Sequence, residues 1–470
     1  MMLNSVPNCR TTEGACIQPS LTPWRCPVAA QTVGNSCLSP LGTRNTPRPA
    51  AAPTESPMTD LLAETDRCVK CGMCLPHCPT YTVTRHEADS PRGRIALAQG
   101  MASGGLAPSA AAARHLQGCL GCRACESVCP SGVRYGRIID AARTELRRHS
   151  GPTAGERALA PLIDRLLRSR SLRRSLGRTL TAYRKTRLQA MIRGLRLLAP
   201  AATLRRAEAL LPEHGPYHPA LARHYPAAQA RYRVALFTGC VAELADAQTL
   251  RSAQRLLSRL GVEVTVPLQQ VCCGALDQHG GRPEKARRLA ETNLSAFTPD
   301  DVDAVVTTAS GCGAQLAEYP EIVADSEAFA ARVEDLSTFI LSRGLLDPER
   351  LQPQHARVAL HTPCTLRHVL RQTTAPAELL RQIPGAELHE LTDAGCCGAA
   401  GTHLLTQPGM ADRLVEPKVA EIETVGADIL VTSNVGCALH LRAALRRRGL
   451  TTEVLHPATL LERAHEQADT

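Results

Sequence analysis

Two short stretches of the chain repeat the same spacing of four cysteines followed by proline. They are Cys68-x2-Cys71-x2-Cys74-x3-Cys78-Pro79 and Cys119-x2-Cys122-x2-Cys125-x3-Cys129-Pro130. Three thiolates placed two residues apart wrap a tight turn around one face of a small metal–sulfide cube, while the fourth lies beyond a helical turn and reaches a second cube. Proline then ends the turn and removes a backbone donor. Residues 58–150 must therefore fold around these cysteines.

This spacing is typical of bacterial ferredoxins and predicts two [4Fe–4S] clusters with crossed ligand sets. Zinc knuckles are the alternative, because CxxC pairs also supply the four ligands that zinc needs, but zinc does not explain two complete runs in tandem. Gly72 and Gly121 permit positive φ, which lets backbone N–H groups point at cluster sulfides. The predicted metal ligands are Cys68, Cys71, Cys74 and Cys129 for one cluster, and Cys119, Cys122, Cys125 and Cys78 for the other.

The number of cysteines, together with the N-terminal sequence, indicates the cellular compartment. The chain has 20 cysteines among 470 residues, whereas a secreted disulfide scaffold is usually short and carries an export signal. The N-terminus has no apolar segment after a basic start, so we expect reduced cysteines and a cytoplasmic location. Residues 1–57 lack a hydrophobic period and metal-ligand spacing, which predicts a disordered extension. Met58 opens a helix-like stretch and is a candidate translation start, which would make the extension dispensable.

The C-terminal half is an internal duplication. The sequence Arg-Val-Ala-Leu-x-Thr-x-Cys ends at Cys240 and again at Cys364. Three landmarks recur at a spacing of 124 or 125 residues: Cys240 with Cys364, Cys272-Cys273 with Cys396-Cys397, and Cys312 with Cys437. Each repeat has the pattern strand, helix, strand, Cys-Cys-Gly turn, helix, strand. The first repeat has predicted parallel strands at 234–237, 262–266 and 304–307.

The predicted fold class is α/β, with an N-terminal α-helical two-cluster ferredoxin domain and duplicated α/β Cys-Cys-Gly domains. The predicted segments are a disordered extension at 1–57, the two-cluster domain at 58–150, a helical Arg-rich linker at 151–230, and Cys-Cys-Gly domains at 231–350 and 351–470.

The Cys-Cys-Gly repeats offer a second set of candidate ligands. Adjacent cysteines do not easily face one small ion, but they can bind neighbouring irons of a larger cluster, and α/β folds place ligands at strand C-termini. Buried core cysteines are the alternative, disfavoured because the positions match in both repeats. A further iron–sulfur cluster, a zinc site and a redox-active dithiol remain open. The candidate cofactor-binding residues are Cys240, Cys272, Cys273, Cys312, Cys364, Cys396, Cys397 and Cys437.

Ferredoxin runs followed by two Cys-Cys-Gly domains resemble the iron–sulfur subunits of glycolate oxidase, anaerobic glycerol-3-phosphate dehydrogenase and heterodisulfide reductase. The resemblance covers residues 60–465 and includes the link Asp89-Ser-Pro-Arg-Gly-Arg-Ile95. Repeats of this family often end in CxxC, whereas Gln315 and His440 stand at the last position here. The repeat endings resemble most the glycolate oxidase iron–sulfur subunit, and the missing cysteines speak against a noncubane cluster of the heterodisulfide reductase type.

This resemblance implies the electron-transfer subunit of a glycolate oxidase complex, an oxidoreductase acting on CH–OH donors. FAD-binding partner subunits would oxidise glycolate to glyoxylate, and this chain would pass the electrons toward a quinone. A subunit of a lactate or glycerol-3-phosphate dehydrogenase, or a heterodisulfide-reductase-like protein, is the alternative. Gly311-Cys-Gly313 lacks the third glycine of a dinucleotide fingerprint, so substrate chemistry belongs elsewhere and no catalytic residue is assigned.

The net charge of +10 is concentrated in one segment. Residues 143–206 hold sixteen arginines and one lysine against three acidic residues, a local charge of +14. Nucleic-acid binding is disfavoured, because aromatic residues make up 3% of the chain and no reading motif is present. A basic amphipathic helix suits anionic lipid or an acidic partner, and a solvated helical face is the alternative. No apolar stretch approaches the ~18 residues of a membrane-spanning helix, so any inner-membrane contact is expected to be peripheral.

Three histidines lie near the cysteine landmarks. We interpret His361, His403 and His440 as hydrogen-bonding structural residues. His440 nevertheless occupies the position of Gln315 in the first repeat, and an imidazole can bind iron, as in Rieske centres, whereas a glutamine amide is a poor ligand. The two repeats are therefore predicted to be non-equivalent, with the second the more adaptable metal site.

Overall fold

The structure is a computed structural model. It describes residues 57–151, 157, 161–162, 164–166, 169–185, 188–194, 202–211, 221–298 and 301–466. The extension at 1–57, predicted to be disordered, lies outside the described residues except for Pro57, and so do parts of the predicted Arg-rich linker.

The described residues before position 151 are helical. The helices are α1 (Pro57–Asp66), α2 (Pro79–Thr84), α3 (Pro91–Ala102), α4 (Ala110–Gln117), α5 (Ala124–Ser127) and α6 (Tyr135–Ser150). Helix α3 begins after Ser90, whose Oγ accepts a 3.0 Å hydrogen bond from the Gly93 N–H and so caps the helix. A Cβ at Gly93 would lie 2.0 Å from the Glu87 carbonyl oxygen, so only glycine fits this turn. The buried faces of α3, α4 and α6 form one apolar core, on which several cysteines pack.

The first repeat folds around a five-stranded sheet. Its strands are β1 (His224–Tyr225), β2 (Tyr232–Phe237), β3 (Val262–Thr265), β4 (Ala304–Thr307) and β5 (Val333–Asp335), in the order β1-β3-β2-β4-β5. Strand β1 is antiparallel to β3, and the other pairs are parallel. The predicted strand at 304–307 is found with the same bounds, while β2 begins two residues before the predicted 234–237 and β3 ends one residue before the predicted 266.

The second repeat has the topology of the first without the antiparallel edge strand β1. Its strands are β6 (Ala356–His361), β7 (Ala386–Glu390), β8 (Ile429–Thr432) and β9 (Glu453–Leu455), all parallel, in the order β7-β6-β8-β9. An aspartate at the matched position of each repeat binds the backbone of the central strand. Asp303 Oδ2 accepts a hydrogen bond from the Arg233 N–H at 2.7 Å, and Asp428 Oδ2 accepts one from the Arg357 N–H at 2.9 Å. The chain is thus a mixed α/β protein with the duplication that the sequence indicates.

Helices connect the strands of both repeats. In the first they are α10 (Cys240–Ala245), α11 (Ala247–Arg259), α12 (Ala275–Gln278), α13 (Pro283–Ala296), α14 (Ser310–Ala317), α15 (Glu327–Ala330) and α16 (Leu336–Ser342). In the second they are a π-helical turn (Leu366–Leu370), α17 (Thr374–Leu380), α18 (His403–Thr406), α19 (Pro408–Val425), α20 (Val435–Arg447) and α21 (Pro457–Glu466).

The two sheets share one apolar core. Val234 and Leu236 of β2 belong to the same buried cluster as Val358 and Leu360 of β6, together with residues of α11, α16, α17 and α21. The alternate side chains of each strand enter a separate cluster within their own repeat. Strands buried on both faces are expected for parallel sheets, and the shared core holds the two repeats together.

Three helices are described in the Arg-rich linker: α7 (Arg170–Lys185), α8 (Leu188–Gly194) and α9 (Ala202–Leu210). Arg170 and Arg173 both bind the carboxylate of Glu243, at 2.6 and 2.9 Å, and Arg206 binds Asp412 at 2.8 and 2.9 Å. Part of the local positive charge is therefore used inside the protein. Among the described helices, none combines the length and apolar character needed to cross a bilayer.

The glycine of each Cys-Cys-Gly turn packs against a helix of its own repeat, α13 in the first and α19 in the second. Gly274 has φ +91° and Gly398 has φ +85°, in the left-handed region that favours glycine. A Cβ at Gly398 would lie 2.9 Å from both the Cα and the carbonyl oxygen of Ala411, whereas a Cβ at Gly274 would lie 3.3 Å from the Ala286 oxygen. The second turn is therefore the more tightly packed.

We expect Gly398→Ala to destabilise the protein more than Gly274→Ala. A non-glycine residue at positive φ costs roughly 1–2 kcal/mol, and the clash at Ala411 adds about 1–3 kcal/mol of overpacking. Apparent melting temperatures, measured anaerobically by circular dichroism, should fall most for Gly398→Ala. Gly409→Ala, in α19 with no atom within 4 Å of the added Cβ, is the matched control and should leave the melting temperature nearly unchanged. Equal losses for Gly274→Ala and Gly398→Ala would contradict this account.

Candidate iron–sulfur and metal centres

The four cysteines of one predicted ligand set line a surface cavity, which we name the outer site. They are Cys68, Cys71, Cys74 and Cys129; a fifth cysteine, Cys125, and Tyr135 also line the cavity. Cys71 is exposed, and its neighbours Val69 and Met73 are 68% and 57% exposed. Gly72 has φ +87°, as this tight turn requires. The outer site thus combines the four cysteines of one predicted ligand set with an apolar, exposed rim.

Four other cysteines line an adjoining cavity, which we name the inner site. They are Cys78, Cys119, Cys122 and Cys125. Cys78 and Cys125 are buried, and the Gly121 N–H and the Tyr135 hydroxyl approach Cys119 Sγ at 3.4 and 3.6 Å. Tyr135 and Cys125 border both cavities, so the two sites share a wall. The inner site holds the four cysteines of the second predicted set.

Arg94 brings a buried positive charge to the inner site. Its side chain is 2% exposed, and it lines the cavity with Nη1 at 3.9 Å from Cys78 Sγ. Nη1 donates to Thr80 Oγ1 at 2.9 Å and Nε to the His115 carbonyl at 2.7 Å. Nη2 lies 3.6 Å from the Asp89 carboxylate and has no hydrogen-bond acceptor in the part of the chain that the structure describes.

This charge affects the thiols unequally. Burial opposes ionisation of Cys119, yet the guanidinium groups of Arg94 and Arg143 lower the pKa of this thiol below its usual value. Burial raises the pKa of the Cys122 and Cys125 thiols well above it. Thiolates are the ligand form, so metal binding must displace protons from the buried thiols.

The residues of both sites fit [4Fe–4S] clusters. The outer cavity is lined by five cysteines and the inner cavity by four, in each case from both cysteine runs, and Gly72 and Gly121 have the positive φ expected of a cluster-binding turn. A buried cation and thiol-directed N–H groups suit a site that concentrates thiolate and sulfide charge. The assignment of these eight ligands stays a prediction.

In the first repeat the four cysteines converge below the strand ends. Cys240 begins α10 directly after β2, and its Sγ lies 3.5 Å from Cys272 Sγ. The contacts with Cys240 and Cys273 lower the pKa of the Cys272 thiol well below its usual value. The peptide around the cysteine pair is held by Asn293, whose Oδ1 accepts from the Val271 N–H at 2.9 Å and whose Nδ2 donates to the Cys272 carbonyl at 3.0 Å.

In the second repeat the sulfur atoms converge in two pairs. Cys364 and Cys396 Sγ are 3.9 Å apart, and Cys397 and Cys437 Sγ are 3.0 Å apart. His361, the last residue of β6, joins the latter pair: its ligand nitrogen and the two sulfur atoms all lie within 4.8 Å of one another. Burial, together with the charges of Lys418 and Arg367, lowers the pKa of His361 to about 3, so its imidazole is neutral.

Two other histidines, His403 and His440, are also buried. Burial lowers the pKa of both imidazoles to about 4, and hydrogen bonding to the backbone of Gly398 and of Cys397 opposes this shift for His403 and His440 respectively, so a hydrogen-bonding structural role stays the interpretation of both. His440 Nε2 lies 3.8 Å from Asp412 Oδ1, and among the described residues no group of mutually close ligand atoms includes it. A histidine does approach the second-repeat cysteines, but it is His361.

Sequence reasoning missed Arg94 as part of the inner site and gave His361 only a structural role. Arg94 lies in the quoted link Asp89–Ile95, where nothing in the spacing indicates that its side chain turns toward Cys78. For His361 a signal was present, since the aligned position of the first repeat is Phe237.

The inner site contacts both repeats in different ways. Toward the first, Arg123 Nη1 binds Glu318 Oε1 at 2.6 Å and Arg137 Nε binds Glu321 Oε2 at 3.1 Å. Toward the second, Leu120 and Cys122 pack in one cluster with Cys364, Cys396 and Leu414. Cysteines of the inner site and of the second repeat therefore meet across an apolar contact.

Comparisons with known proteins agree with this architecture. A family model described as a 4Fe-4S dicluster domain matches residues 64–133, and one described as a cysteine-rich domain matches residues 234–317 and 358–442. A protein from Shouchella clausii (strain KSM-K16) named lactate utilization protein A is 33% identical over 235 residues, which are 48% of this chain and 98% of that protein.

Longer matches come from two bacteria. A protein from Bacillus subtilis (strain 168) named probable glycolate oxidase iron-sulfur subunit is 36% identical over 422 residues, 84% of this chain and 92% of that protein. The glycolate oxidase iron-sulfur subunit of Escherichia coli (strain K12) is 31% identical over 414 residues, 85% of this chain and 94% of that protein. Since both similarities run through nearly the whole length of each chain, this chain belongs to the family of glycolate oxidase iron–sulfur subunits.

Proposed function

We propose that this chain is the electron relay of a glycolate-oxidising complex. A flavoprotein partner would oxidise glycolate to glyoxylate, and this chain would carry the electrons toward a quinone. The observation that carries the proposal is the contact series from the outer site, through the shared wall at Cys125 and Tyr135, to the inner site and on to Cys364 and Cys396. Two [4Fe–4S] clusters at the outer and inner sites would each accept and release one electron.

Apolar packing and ion pairs around the inner site provide the close, fixed contacts that an electron relay needs. The apolar contact of Leu120 and Leu414 beside Cys122 keeps the passage to the second repeat dry. Ion pairs such as Arg123 with Glu318 fix the inner site on the first repeat. A rigid, close arrangement of this kind favours transfer between neighbouring centres without large motion. We place the next electron-carrying centre in the second repeat, as an iron–sulfur cluster, because zinc has no redox chemistry and would have only a structural role there. The first repeat lies beside the main path.

The outer site is the proposed docking point of the flavoprotein. It is the most exposed of the cysteine sites described, and Val69 and Met73 give it an apolar rim. Exposed apolar side chains beside a redox site suit a protein partner that must approach closely. Peripheral contact with the inner membrane through residues 143–206 is also part of the proposal, although the structure uses Arg143, Arg170, Arg173 and Arg206 in internal bonds.

A lactate-oxidising complex is the second candidate. It is favoured by the similarity to lactate utilization protein A, but that match covers 48% of this chain. The glycolate oxidase subunits match 84% and 85%, so glycolate is the better-supported substrate of the partner.

The relay role is tested in the complex purified with its flavoprotein. With Cys122→Ser in this chain, glycolate should still reduce the flavin, but electron delivery to quinone should fall at least about tenfold, because loss of a ligand disrupts the inner centre. Cys16→Ser, which removes a cysteine without ligand spacing, is the matched control. Parental quinone reduction by the Cys122→Ser complex would reject the relay, and flavin reduction by lactate but not glycolate would favour the second candidate.

The docking surface gives a separate expectation. Val69→Asp with Met73→Asp should weaken association with the flavoprotein by roughly tenfold or more, since two desolvated apolar contacts are replaced by charges. Leu268→Asp, at a 41% exposed apolar position of the first repeat, should have little effect. The measurement is the dissociation constant of the complex, with iron content as the check on folding. If Leu268→Asp weakened the complex as much as the Val69→Asp, Met73→Asp double variant, the outer site would not be the docking point.

The buried cation should set the potential of the inner centre. Arg94→Gln should make its midpoint potential more negative by roughly 50–100 mV, because a nearby positive charge stabilises the reduced cluster. Arg94→Lys should restore most of the difference. Arg114→Gln, which removes an exposed arginine of α4 that lines neither cavity, is the control. Redox titration monitored by electron paramagnetic resonance gives the potentials, and an unchanged inner potential in Arg94→Gln would contradict the expectation.

A further inference from the structure

The two repeats differ at the end of their central strands. Strand β2 ends at Phe237, and strand β6 ends at His361 in the matched position. Phe237 packs in the apolar cluster of the first repeat. His361 is equally buried, at 2% exposure, yet it carries two nitrogen atoms into the interior. A polar ring at this position requires partners that a phenylalanine does not.

One ring nitrogen of His361 is satisfied and the other is not. Nδ1 lies 2.9 Å from Thr432 Oγ1 on the neighbouring strand β8. The matched threonine of the first repeat, Thr307, instead lies with its Oγ1 3.5 Å from the Glu334 carbonyl. Nε2 of His361 is buried and has no hydrogen-bond partner in the described part of the chain. A metal-binding histidine has this arrangement, because a hydrogen bond at one nitrogen fixes the ring and directs the other at the metal.

His361 belongs to a compact set of ligand atoms, to which it contributes one ring nitrogen. The ligand atoms of His361, Cys397 and Cys437 all lie within 4.8 Å of one another, and all three residues are buried. The two sulfur atoms are 3.0 Å apart. Metal–sulfur bonds of about 2.3 Å and metal–nitrogen bonds of about 2.0–2.1 Å place tetrahedral ligand atoms roughly 3.5–3.8 Å apart. This lies within the 4.8 Å limit of the set, and the two sulfur atoms would move apart by less than about 1 Å to bind one ion.

We propose that His361 Nε2 and the Sγ atoms of Cys397 and Cys437 bind one transition-metal ion in the second repeat. The ion is a zinc ion or one iron of a cluster, and Cys396, beside Cys397, and Cys364 are available to complete its surroundings. The matched site of the first repeat has Phe237 and offers thiolates alone. The inference rests on the proposal that the Cys-Cys-Gly repeats hold metal, and it makes the repeats chemically different.

His440 is the competing nitrogen ligand. It follows Cys437 by one helical turn on α20 and is fully buried. Its Nε2 lies 3.8 Å from Asp412 Oδ1, and it shares no group of mutually close ligand atoms with the cysteines among the described residues. The geometry therefore favours the histidine at the strand end over the one on the helix.

The first test is made on the unaltered full-length protein, purified anaerobically. Zinc and iron per chain are counted. If the second-repeat metal is zinc, X-ray absorption should show a nitrogen neighbour with sulfur neighbours. If it is iron, pulsed electron paramagnetic resonance of ¹⁵N-histidine-labelled protein should show a directly bound nitrogen. Sulfur neighbours alone would overturn the proposal.

Variants identify the nitrogen. His361→Phe, the first-repeat residue, should lose about one metal ion per chain or the nitrogen signal. His361→Cys should keep the metal and replace the nitrogen neighbour by sulfur. His440→Gln, also the first-repeat residue, should keep both metal and nitrogen signal. Parental metal content and nitrogen signal in folded His361→Phe, or their loss in His440→Gln alone, would overturn the proposal.

The same experiment separates this inference from the proposed relay. Cys396→Ser with Cys397→Ser should remove the second-repeat metal and leave the signals of the outer and inner sites. If this double variant and the parent have the same metal content, the repeat holds no metal and the inference fails, although the two N-terminal centres stand. If the double variant loses metal but His361→Phe does not, only the histidine ligand is rejected.

Discussion

One buried guanidinium joins the segments that build the inner cysteine site. Arg94 donates to Thr80, which follows the last cysteine of the first run, and to the carbonyl of His115, which precedes the second run. Cys78 and Cys119 can border one cavity only if these segments are held together. A fully buried arginine is costly without acceptors or compensating negative charge. The hydrogen bonds of Arg94 supply the acceptors, and the neighbouring thiols, when ionised, supply the negative charge. The cation that holds the cavity together would therefore also stabilise thiolates in it.

The repeats show how a duplicated fold acquires two different sites. The order and register of the four matched parallel strands are the same, and an aspartate at the matched position accepts a hydrogen bond from the backbone of each central strand. Side chains around the cysteines differ: Asn293 supports the first Cys-Cys turn, whereas the buried Lys418 binds Asp393 at 2.7 Å in the second. Because the shared apolar core and backbone hydrogen bonds carry the fold, residues at the strand ends can change without loss of the architecture.

In the Arg-rich linker the local net charge did not predict which arginines form ion pairs within the protein. The sequence predicts a basic helix for an anionic surface, and the helix at Arg170–Lys185 is present. Two of its arginines nevertheless bind Glu243 next to the first-repeat cysteines, and Arg206 binds Asp412. A local net charge counts side chains, but it does not tell which of them meet carboxylates from distant segments. Ion pairs of the linker therefore attach it to both repeats.

The sequence by itself determined the cysteine runs, the duplication and the parallel strands, because ligand spacing, offset and hydrophobic pattern are local properties of the chain. It also predicted the crossed ligand sets, which stay a prediction. Only the tertiary structure decided that Cys122 meets Cys364 and Cys396, that Arg94 faces Cys78, and that His361 rather than His440 joins Cys397 and Cys437. These contacts join residues far apart in sequence. They depend on how helices and sheets pack and on which way each side chain points, and neither is encoded in the spacing of a motif.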